Sequence, residues 1–251
     1  MDNKIMDVID SFDTIPLEES GKVNFLKRLD LKYMASQDQL TSVLKAIKEN
    51  YFVMTIQGKR TQGYKTTYFD TPEDDFYIAH HNGHNNRLKI RKREYLNTGE
   101  HFLEIKRKKL NGNTSKKRTN ISGETNTEVD DVEKMFIQKH INGQVPTLQP
   151  KIDTMFSRTT LVSKQFNERV TIDIGLNFKD YIGGSLQTKD LYIVEVKCNK
   201  STGYTPIRKA LKDNAVRTGG FSKYCVGRAT MDSTLKQNNF KFKVKLLKNH
   251  C

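Results

Sequence analysis

The sequence contains no tryptophan, only three cysteines, and no apolar run approaching the roughly 20 residues of a membrane-spanning helix. Cys198, Cys225 and Cys251 are odd in number and far apart, so neither a disulfide framework nor a zinc knuckle fits. Walker, GxGxxG and GxSxG signatures are all missing, which removes the commonest nucleotide-binding and hydrolase motifs. Acids are in deficit, with 29 Asp and Glu against 43 Lys and Arg in 251 residues, a net charge of +14. Acids prevail at the beginning, with Asp2, Asp7, Asp10, Asp13, Glu18 and Glu19 against Lys4, the opposite of a signal peptide. The composition is polar, at 35% hydrophobic residues, yet 13 Phe and 10 Tyr exceed what a disordered chain carries. These features predict a soluble, cytoplasmic, basic globular protein.

The positive charge is concentrated in residues 87–118. There Arg87, Lys89, Arg91, Lys92, Arg93, Lys106, Arg107, Lys108, Lys109, Lys116, Lys117 and Arg118 face only Glu94, Glu100 and Glu104. In 87–93 the odd positions are all cationic and alternate with Leu88 and Ile90, the period of a strand with one charged and one largely apolar face. Four further segments repeat the alternation: Arg28-Leu-Asp30-Leu-Lys32, Phe102-Leu-Glu104-Ile-Lys106, Arg169-Val-Thr171-Ile-Asp173 and Ile193-Val-Glu195-Val-Lys197. Such faces either lie on the outside of an open sheet or line the interior of a closed one, and periodicity leaves both open.

Helices are expected between the strands. Ser36 and Gln39 form a capping-box pattern ahead of Leu40, Val43, Leu44 and Ile47. A second helix is expected from about Thr127 to Ile141, with Val129, Val132 and Phe136 on one side, and a third at Thr205-Pro206 with Ile207 and Leu211. Residues 240–246 alternate strictly and read as a last half-buried strand. Residues 1–21 read as an acidic appendage and 22–251 as a single domain.

Convergent rows of Arg and Lys suit phosphates, which guanidinium grips as a fork and ammonium as a mobile point charge. Nucleic acid is disfavoured, since the 87–93 face interleaves no aromatic for base stacking. Glu104 and Glu195, set among cations, suit either a divalent metal shared with phosphates or internal ion pairs with Lys106 and Lys197. His80, His81 and His84 have no Cys or paired acid at ligand spacing and read as a polar loop. Cys198 and Cys225 read as packing residues.

Eight short motifs in order then resemble a known family. They are Arg28-x-Asp30-x-Lys32-Tyr33, Tyr68-Phe69-Asp70-Thr71-Pro72, Lys89-x-Arg91-x-Arg93-x-Tyr95, Phe102-Leu-Glu104-x-Lys106, Ser157-Arg158, Arg169-Val-Thr171-x-Asp173, Glu195-Val-Lys197 and Phe221-Ser222-Lys223-Tyr224. Over about residues 22–232 they resemble the VTC domain, the polyphosphate polymerase module of the vacuolar transporter chaperone family, within the triphosphate tunnel metalloenzymes. The resemblance implies an α+β fold with a tunnel-like antiparallel β-barrel, a basic interior and helices outside. It implies transfer of the ATP γ-phosphoryl to inorganic polyphosphate or a pyrophosphate primer, releasing ADP, with Mn²⁺ or Mg²⁺.

By motif, Arg91, Arg93, Arg158 and Arg169 would act on the transferring group. Lys32, Lys106, Ser222 and Lys223 would grip phosphates, supported by Lys89, Lys116 and Lys197, and Glu195 would hold the metal. Arg-x-Asp-x-Lys replaces the Glu-x-Glu-x-Lys of tunnel triphosphatases and so lacks an acidic ligand, and Phe156 stands where Tyr is expected. The membrane helices and regulatory domain of the eukaryotic complex have no counterpart here, so a bacterial-type cytosolic protein is expected, with a membrane-protein partner left open. A triphosphatase and a non-catalytic polyphosphate- or RNA-binding module are the alternatives.

Overall fold

In the computed structural model, residues 3–21, 28–110, 113–123, 125, 128–141 and 143–251 are described. In chain order they form α1 (Asn3–Asp10), β1 (Thr14–Pro16), α2 (Leu17–Ser20), β2 (Arg28–Ala35), α3 (Gln37–Ile47), β3 (Tyr51–Thr55), β4 (Thr61–Asp70), α4 (Asp75–His81), β5 (Leu88–Tyr95) and β6 (Glu100–Lys108). These are followed by β7 (Thr114–Asn120), α5 (Asp131–His140), β8 (Gln149–Ser163), β9 (Glu168–Lys179), β10 (Ser185–Gln187), β11 (Tyr192–Asn199), α6 (Pro206–Asp213), α7 (Lys223–Met231) and α8 (Lys241–Asn249).

The five charged-face segments around 28–32, 87–93, 102–106, 169–173 and 193–197 are strands of one sheet, ordered β2-β11-β9-β8-β4-β5-β6-β7 and antiparallel along that path. Residues directly opposite each other share a face, so the register merges the separate charged faces. Lys32 faces Glu195, Glu195 faces Thr171, Asp173 faces Arg158 and Arg158 faces Gln62. Thr66 then faces Arg93, Arg91 faces Glu104 and Lys106 faces Lys116. The sheet curls towards this side: Lys32 and Glu195, at the β2 edge, act electrostatically on Lys106, next to the β7 edge. The result is an antiparallel half-barrel. Among the described residues its edge strands β2 and β7 do not pair with each other.

The apolar faces turn outward and are covered by helices. α1, α3 and α6 pack on Leu161, Val170, Ile172, Val194 and Val196, and the segment around α5 packs on Ile90, Leu103 and Ile105. α3 starts at the Ser36–Gln39 capping box, and its Leu40, Val43, Leu44 and Ile47 are all buried. Asp130 and Glu133 form an unforeseen second capping box, which starts α5. The face of α5 differs from expectation: Val129 and Ile137 are buried, whereas Val132 is exposed. Glu133 takes the inward position because it pairs at 2.9 Å with Lys92, the one cation of 87–93 on the outer face of β5. Thr127 lies outside the described residues. α6 has Pro206 in its first turn and buries Ile207 and Leu211, but Thr205 makes no side-chain cap bond.

α7 lies over the concave face. A bulge at Gly175, whose φ of +63° glycine adopts without strain, inserts one residue into β9. The inner face of β9 therefore changes from Asp173 to Leu176 and Phe178. With Ile152 and Tyr68 these form an apolar floor for α7. The approach is close: a Cβ on Gly227 would lie 2.6 Å from the Phe178 ring and 2.9 Å from Ile152. α4 and α8 pack against α7 in the same cluster.

Asp70 ties these parts together. Its carboxylate accepts from the backbone N–H groups of Thr71 (2.8 Å), Phe76 (2.8 Å) and Tyr77 (2.9 Å), and from the Tyr224 hydroxyl of α7. Burial raises its pKa against the pull of these donors. The Tyr-Phe-Asp-Thr-Pro motif is therefore an anchor between β4, α4 and α7. Asp70→Ala should strand several buried donors, each costing about 1–3 kcal/mol. A loss of more than about 3 kcal/mol in urea unfolding is expected, and an unchanged midpoint would contradict this role.

Three expectations are corrected. The N-terminal segment is no appendage, because Ile5, Val8, Ile9 and Phe12 enter the core beside α3 while Asp7 and Asp10 face outward. Asp7 and Asp10 lie on the polar side of this amphipathic helix, and β1, which follows it, pairs with β3. Residues 240–246 are not a strand: α8 buries Val244 and Leu247 beside Phe240, while Phe242 is exposed. The spacing 240, 244, 247 is helical, and the alternating lysines concealed it. His80 and His81 end α4 rather than sitting in a loop, and the Nε2 of buried His81 accepts from the Asn239 N–H at 3.2 Å.

Candidate active site: a cationic chamber

Among the described residues Glu104, Asp173 and Glu195 sit within the concave face, each already engaged by cations, while Asp30, opposite Lys197, is exposed at its β2 edge. Fully buried Glu104 accepts from Arg91 Nε at 2.7 Å and Nη2 at 2.5 Å, and also pairs with Lys116. Burial opposes its ionisation, but Arg91, Arg93 and Lys116 hold it well below the usual carboxylate range. Asp173 takes the Arg158 guanidinium as a fork, at 2.5 and 2.8 Å, and pairs with Lys223 as well. Burial is again overridden, here by Arg158 and Lys223. Glu195 lies 3.0 Å from Lys197 and 4.0 Å from Lys32, which bring its pKa to about 2 despite burial.

Among the described residues, other cations have no such partner. Arg93 is buried and donates to Thr66 Oγ1 at 3.1 Å, with its guanidinium 5.4 Å from the centre of the Tyr64 ring. Among the described residues it has no carboxylate within 4.0 Å, and burial together with Arg91 lowers its pKa to about 10. Lys106 makes neither an ion pair nor a hydrogen bond among the described residues, and Arg91, burial and Arg93 push it down to about 6. Lys89 donates to Ser222 Oγ at 2.9 Å and is lowered by burial. Burial of unpaired charge is costly unless a counter-charge arrives, so the chamber is built for an anion.

The start of α7 completes the wall. Ser222 caps the helix by accepting from the Cys225 N–H at 3.2 Å, Lys223 reaches Asp173, and Lys32 Nζ donates to the Phe221 carbonyl at 3.2 Å. The N-terminal helix dipole therefore adds to the positive field. A separate cleft of about 560 Å³, lined in part by Tyr64, Phe156, Met155, Leu96 and Lys189, adjoins the chamber across the stacked Tyr64–Phe156 pair.

The structure thus brings Lys32, Lys89, Arg91, Arg93, Lys106, Lys116, Arg158, Glu195, Lys197, Ser222 and Lys223 onto one surface. Arg169, opposite Lys197 on the same face, lies about 13 Å along β9 from Asp173 and donates to the Ser20 carbonyl at 2.9 Å. Sequence reasoning missed Tyr68 and Thr66 as site residues. Tyr68 accepts from Arg91 Nη1 at 3.2 Å, and although burial would raise its phenol, Arg91, Arg93, Lys223 and Lys89 lower it. The alternation of Tyr64, Thr66 and Tyr68 along β4 was the available signal. Phe156 stacks on Tyr64, and the Arg158 guanidinium lies 5.3 Å from the centre of each ring, so the position is used for packing.

Among the described residues no group of three or more His, Cys, Asp or Glu could form a ready-made metal centre. A divalent cation that arrives with phosphate oxygens needs only one or two protein carboxylates. Glu195, whose neighbours are flexible lysines, fits that lesser demand better than Glu104 or Asp173, each locked to an arginine. Among the described residues no helix is long and apolar enough to cross a membrane.

A curled antiparallel sheet with surplus cations on its concave face is the fold expected of a triphosphate tunnel protein. The sequence model of the VTC domain matches residues 27–232, and the chain belongs to that family. Among solved structures it is similar to PH1819 of Pyrococcus horikoshii OT3, with 14% identity, 83% of this chain and 99% of that one covered, and a TM-score of 0.45. The Hippeastrum protein HpAC1, described as having a dominant triphosphatase activity, shares 13% identity, with 80% and 95% covered and a TM-score of 0.49. A Vibrio parahaemolyticus protein shares 13% identity, with 80% and 97% covered and a TM-score of 0.45. No curated protein matches the sequence.

Proposed function

We propose that this chain is a polyphosphate polymerase that transfers the γ-phosphoryl of ATP to the end of an inorganic polyphosphate or pyrophosphate primer and releases ADP. The observation that carries the reading is the pairing pattern: Glu104, Asp173 and Glu195 are each engaged by cations, while among the described residues Arg93, Lys106 and Lys89 have no carboxylate partner. Phosphoryl transfer depends chiefly on positioning and charge neutralisation, and such a surface offers both. Arg91, Arg93 and Arg158 balance charge on the transferring group. Lys32, Lys89, Lys106, Lys116, Lys197, Ser222 and Lys223 hold the nucleotide phosphates and the chain, with Arg169 at the outer end.

The same pattern favours transfer over hydrolysis. Glu104, Asp173 and Glu195 are held ionised by neighbouring cations and are poor bases for activating water. A terminal phosphate oxygen is already ionised and needs no base. Nucleic acid is disfavoured on a second ground: Tyr64, Phe156 and Phe102 lie under the guanidinium groups of Arg93, Arg158 and Arg118 rather than open to bases.

Mn²⁺ or Mg²⁺ held by Glu195 would supply charge neutralisation on the phosphate oxygens. Glu195→Gln is expected to raise the metal concentration for half-maximal activity by about tenfold or more, and an unchanged metal dependence would overturn that assignment. Reaction with γ-labelled ATP tests the activity: label in acid-precipitable chain with matching ADP supports the polymerase. Label only in free phosphate indicates a triphosphatase, and unconsumed ATP with retained polyphosphate binding indicates a binding module.

Lys106 predicts a proton signature. Arg91, Arg93 and, in register, Lys89 on β5, Lys32 on β2 and Lys116 on β7 surround it, opposed by Glu195 on β11 and by Glu104, two residues away on the same face of β6. In the empty chamber it is largely neutral above pH 6, and bound phosphates would raise its pKa, so binding near pH 7.5 should take up a proton and weaken as pH rises. Calorimetry of tripolyphosphate binding in two buffers should show more proton uptake by the wild type than by Lys106→Arg, which stays charged throughout. Equal uptake by the two would contradict this.

A further inference from the structure

Tyr64 carries a buried polar group that the fold does not use. It alternates with Gln62, Thr66 and Tyr68 on the chamber side of β4, opposite Tyr95 of β5 and Phe156 of β8. The residue is 8% exposed, yet among the described residues its hydroxyl makes no hydrogen bond. A buried tyrosine hydroxyl ordinarily finds a partner, because leaving the bond unmade costs free energy. Other buried tyrosines obey that rule: Tyr68 accepts from Arg91, Tyr77 donates to the Lys236 carbonyl at 2.7 Å, and Tyr224 donates to Asp70.

The surroundings of Tyr64 are those of the anion site. The guanidinium groups of Arg93 and Arg158 lie 5.4 and 5.3 Å from the centre of its ring, Phe156 stacks on it at 5.3 Å, and Tyr95 lies against it at 4.9 Å. Arg93 directs its Nε to Thr66 and Arg158 its fork to Asp173, so neither satisfies the phenol. The charged groups that act on the hydroxyl, Arg158, Arg93 and Asp173, all belong to the chamber. Burial raises its pKa and the two arginines offset this only in part, so at neutral pH it is a protonated donor. Packing does not require the oxygen. Phe156 forms the other half of the stack with a bare ring, at the same 5.3 Å from Arg158 and with Lys223 Nζ 4.3 Å from its centre.

We propose that Tyr64 is a phosphate-binding residue, whose hydroxyl donates to an oxygen of the phosphate group held by Arg93 and Arg158. This rests on the reading above that the chamber holds phosphates. A neutral donor suits the position, because it adds a hydrogen bond to the transferring group without adding charge to a face that already carries surplus cations. The bond left unmade in the empty chamber is then made by the ligand, as the missing counter-charge of Arg93 is.

The test is calorimetric titration of tripolyphosphate into the wild type, Tyr64→Phe and Arg93→Ala, beside urea unfolding of each. Tyr64→Phe keeps the ring and removes only the unpartnered oxygen. Affinity should fall about tenfold or more, the weight of a hydrogen bond to a charged group, while the unfolding midpoint holds. Unchanged affinity in Tyr64→Phe with a loss in Arg93→Ala would overturn the role of Tyr64 and leave the phosphate reading intact. A midpoint that falls together with affinity would mark the hydroxyl as structural and overturn it as well. A loss in Tyr64→Phe alone would contradict the shared grip with Arg93, and binding that ignores both substitutions would place the ligand outside the chamber. Failure of the wild type to bind would remove the reading on which the proposal rests.

Discussion

Arg93→Ala is expected to slow ATP-dependent chain growth by roughly 10²–10³-fold, the loss of about 2.7–4 kcal/mol typical of a preorganised contact to developing charge. Stability should not fall with it. Arg93 is buried beside Arg91 with, among the described residues, no carboxylate of its own, and the depression of its pKa to about 10 reflects that unfavourable setting. Removing a buried, unpaired cation relieves repulsion and a desolvation penalty. The denaturation midpoint should hold or rise while turnover collapses. Initial rates of ADP release and polymer formation, measured beside a urea curve, check both halves. A variant that loses stability and activity in proportion would mark Arg93 as a structural residue.

Asp173→Ala should show the reverse balance. Asp173 is buried and neutralises Arg158 and Lys223 together, so its removal leaves two positive charges uncompensated beneath α7. Breaking such a buried pair from one side costs about 3–5 kcal/mol. Because the folded-state pKa of Asp173 is lowered, its contribution is present in full above the ordinary carboxylate range and is lost as pH falls through the folded value. The wild type should therefore lose stability on acidification more steeply than Asp173→Ala. Urea unfolding at neutral and acid pH measures this. A loss below about 1 kcal/mol at neutral pH would mean that the pair is not the buried junction described here.

Much of the sheet was legible because strand alternation is a local property. Arg87 to Arg93 or Arg169 to Asp173 declares its charged face without reference to any other segment. The joining of those faces was not legible, since it depends on register, such as Arg158 opposite Asp173 and Arg91 opposite Glu104. For the same reason composition could not separate paired cations from unpaired ones: Arg91 and Arg93 stand two residues apart and look alike, yet one is bound to Glu104 and the other, among the described residues, to no carboxylate. Glu104 and Glu195 could be read as metal ligands or ion-pair partners, and the structure shows the pairing while leaving Glu195 the looser of the two. The concealed elements were amphipathic helices under a misleading surface pattern, acidic in α1 and alternating lysine in α8. The inward position of α7 was hidden as well, because it depends on the Gly175 bulge and on the small side of Gly227, neither of which has a periodic signature.

The central claim is that the chamber lengthens polyphosphate. The direct measurement is incubation of the purified protein with ATP and Mn²⁺, resolved on a polyphosphate-stained urea gel beside assays of ADP and free phosphate. The account predicts a ladder of growing chains with ADP in step and little free phosphate. Free phosphate equal to ADP with no ladder, or no nucleotide consumed at all, would contradict it.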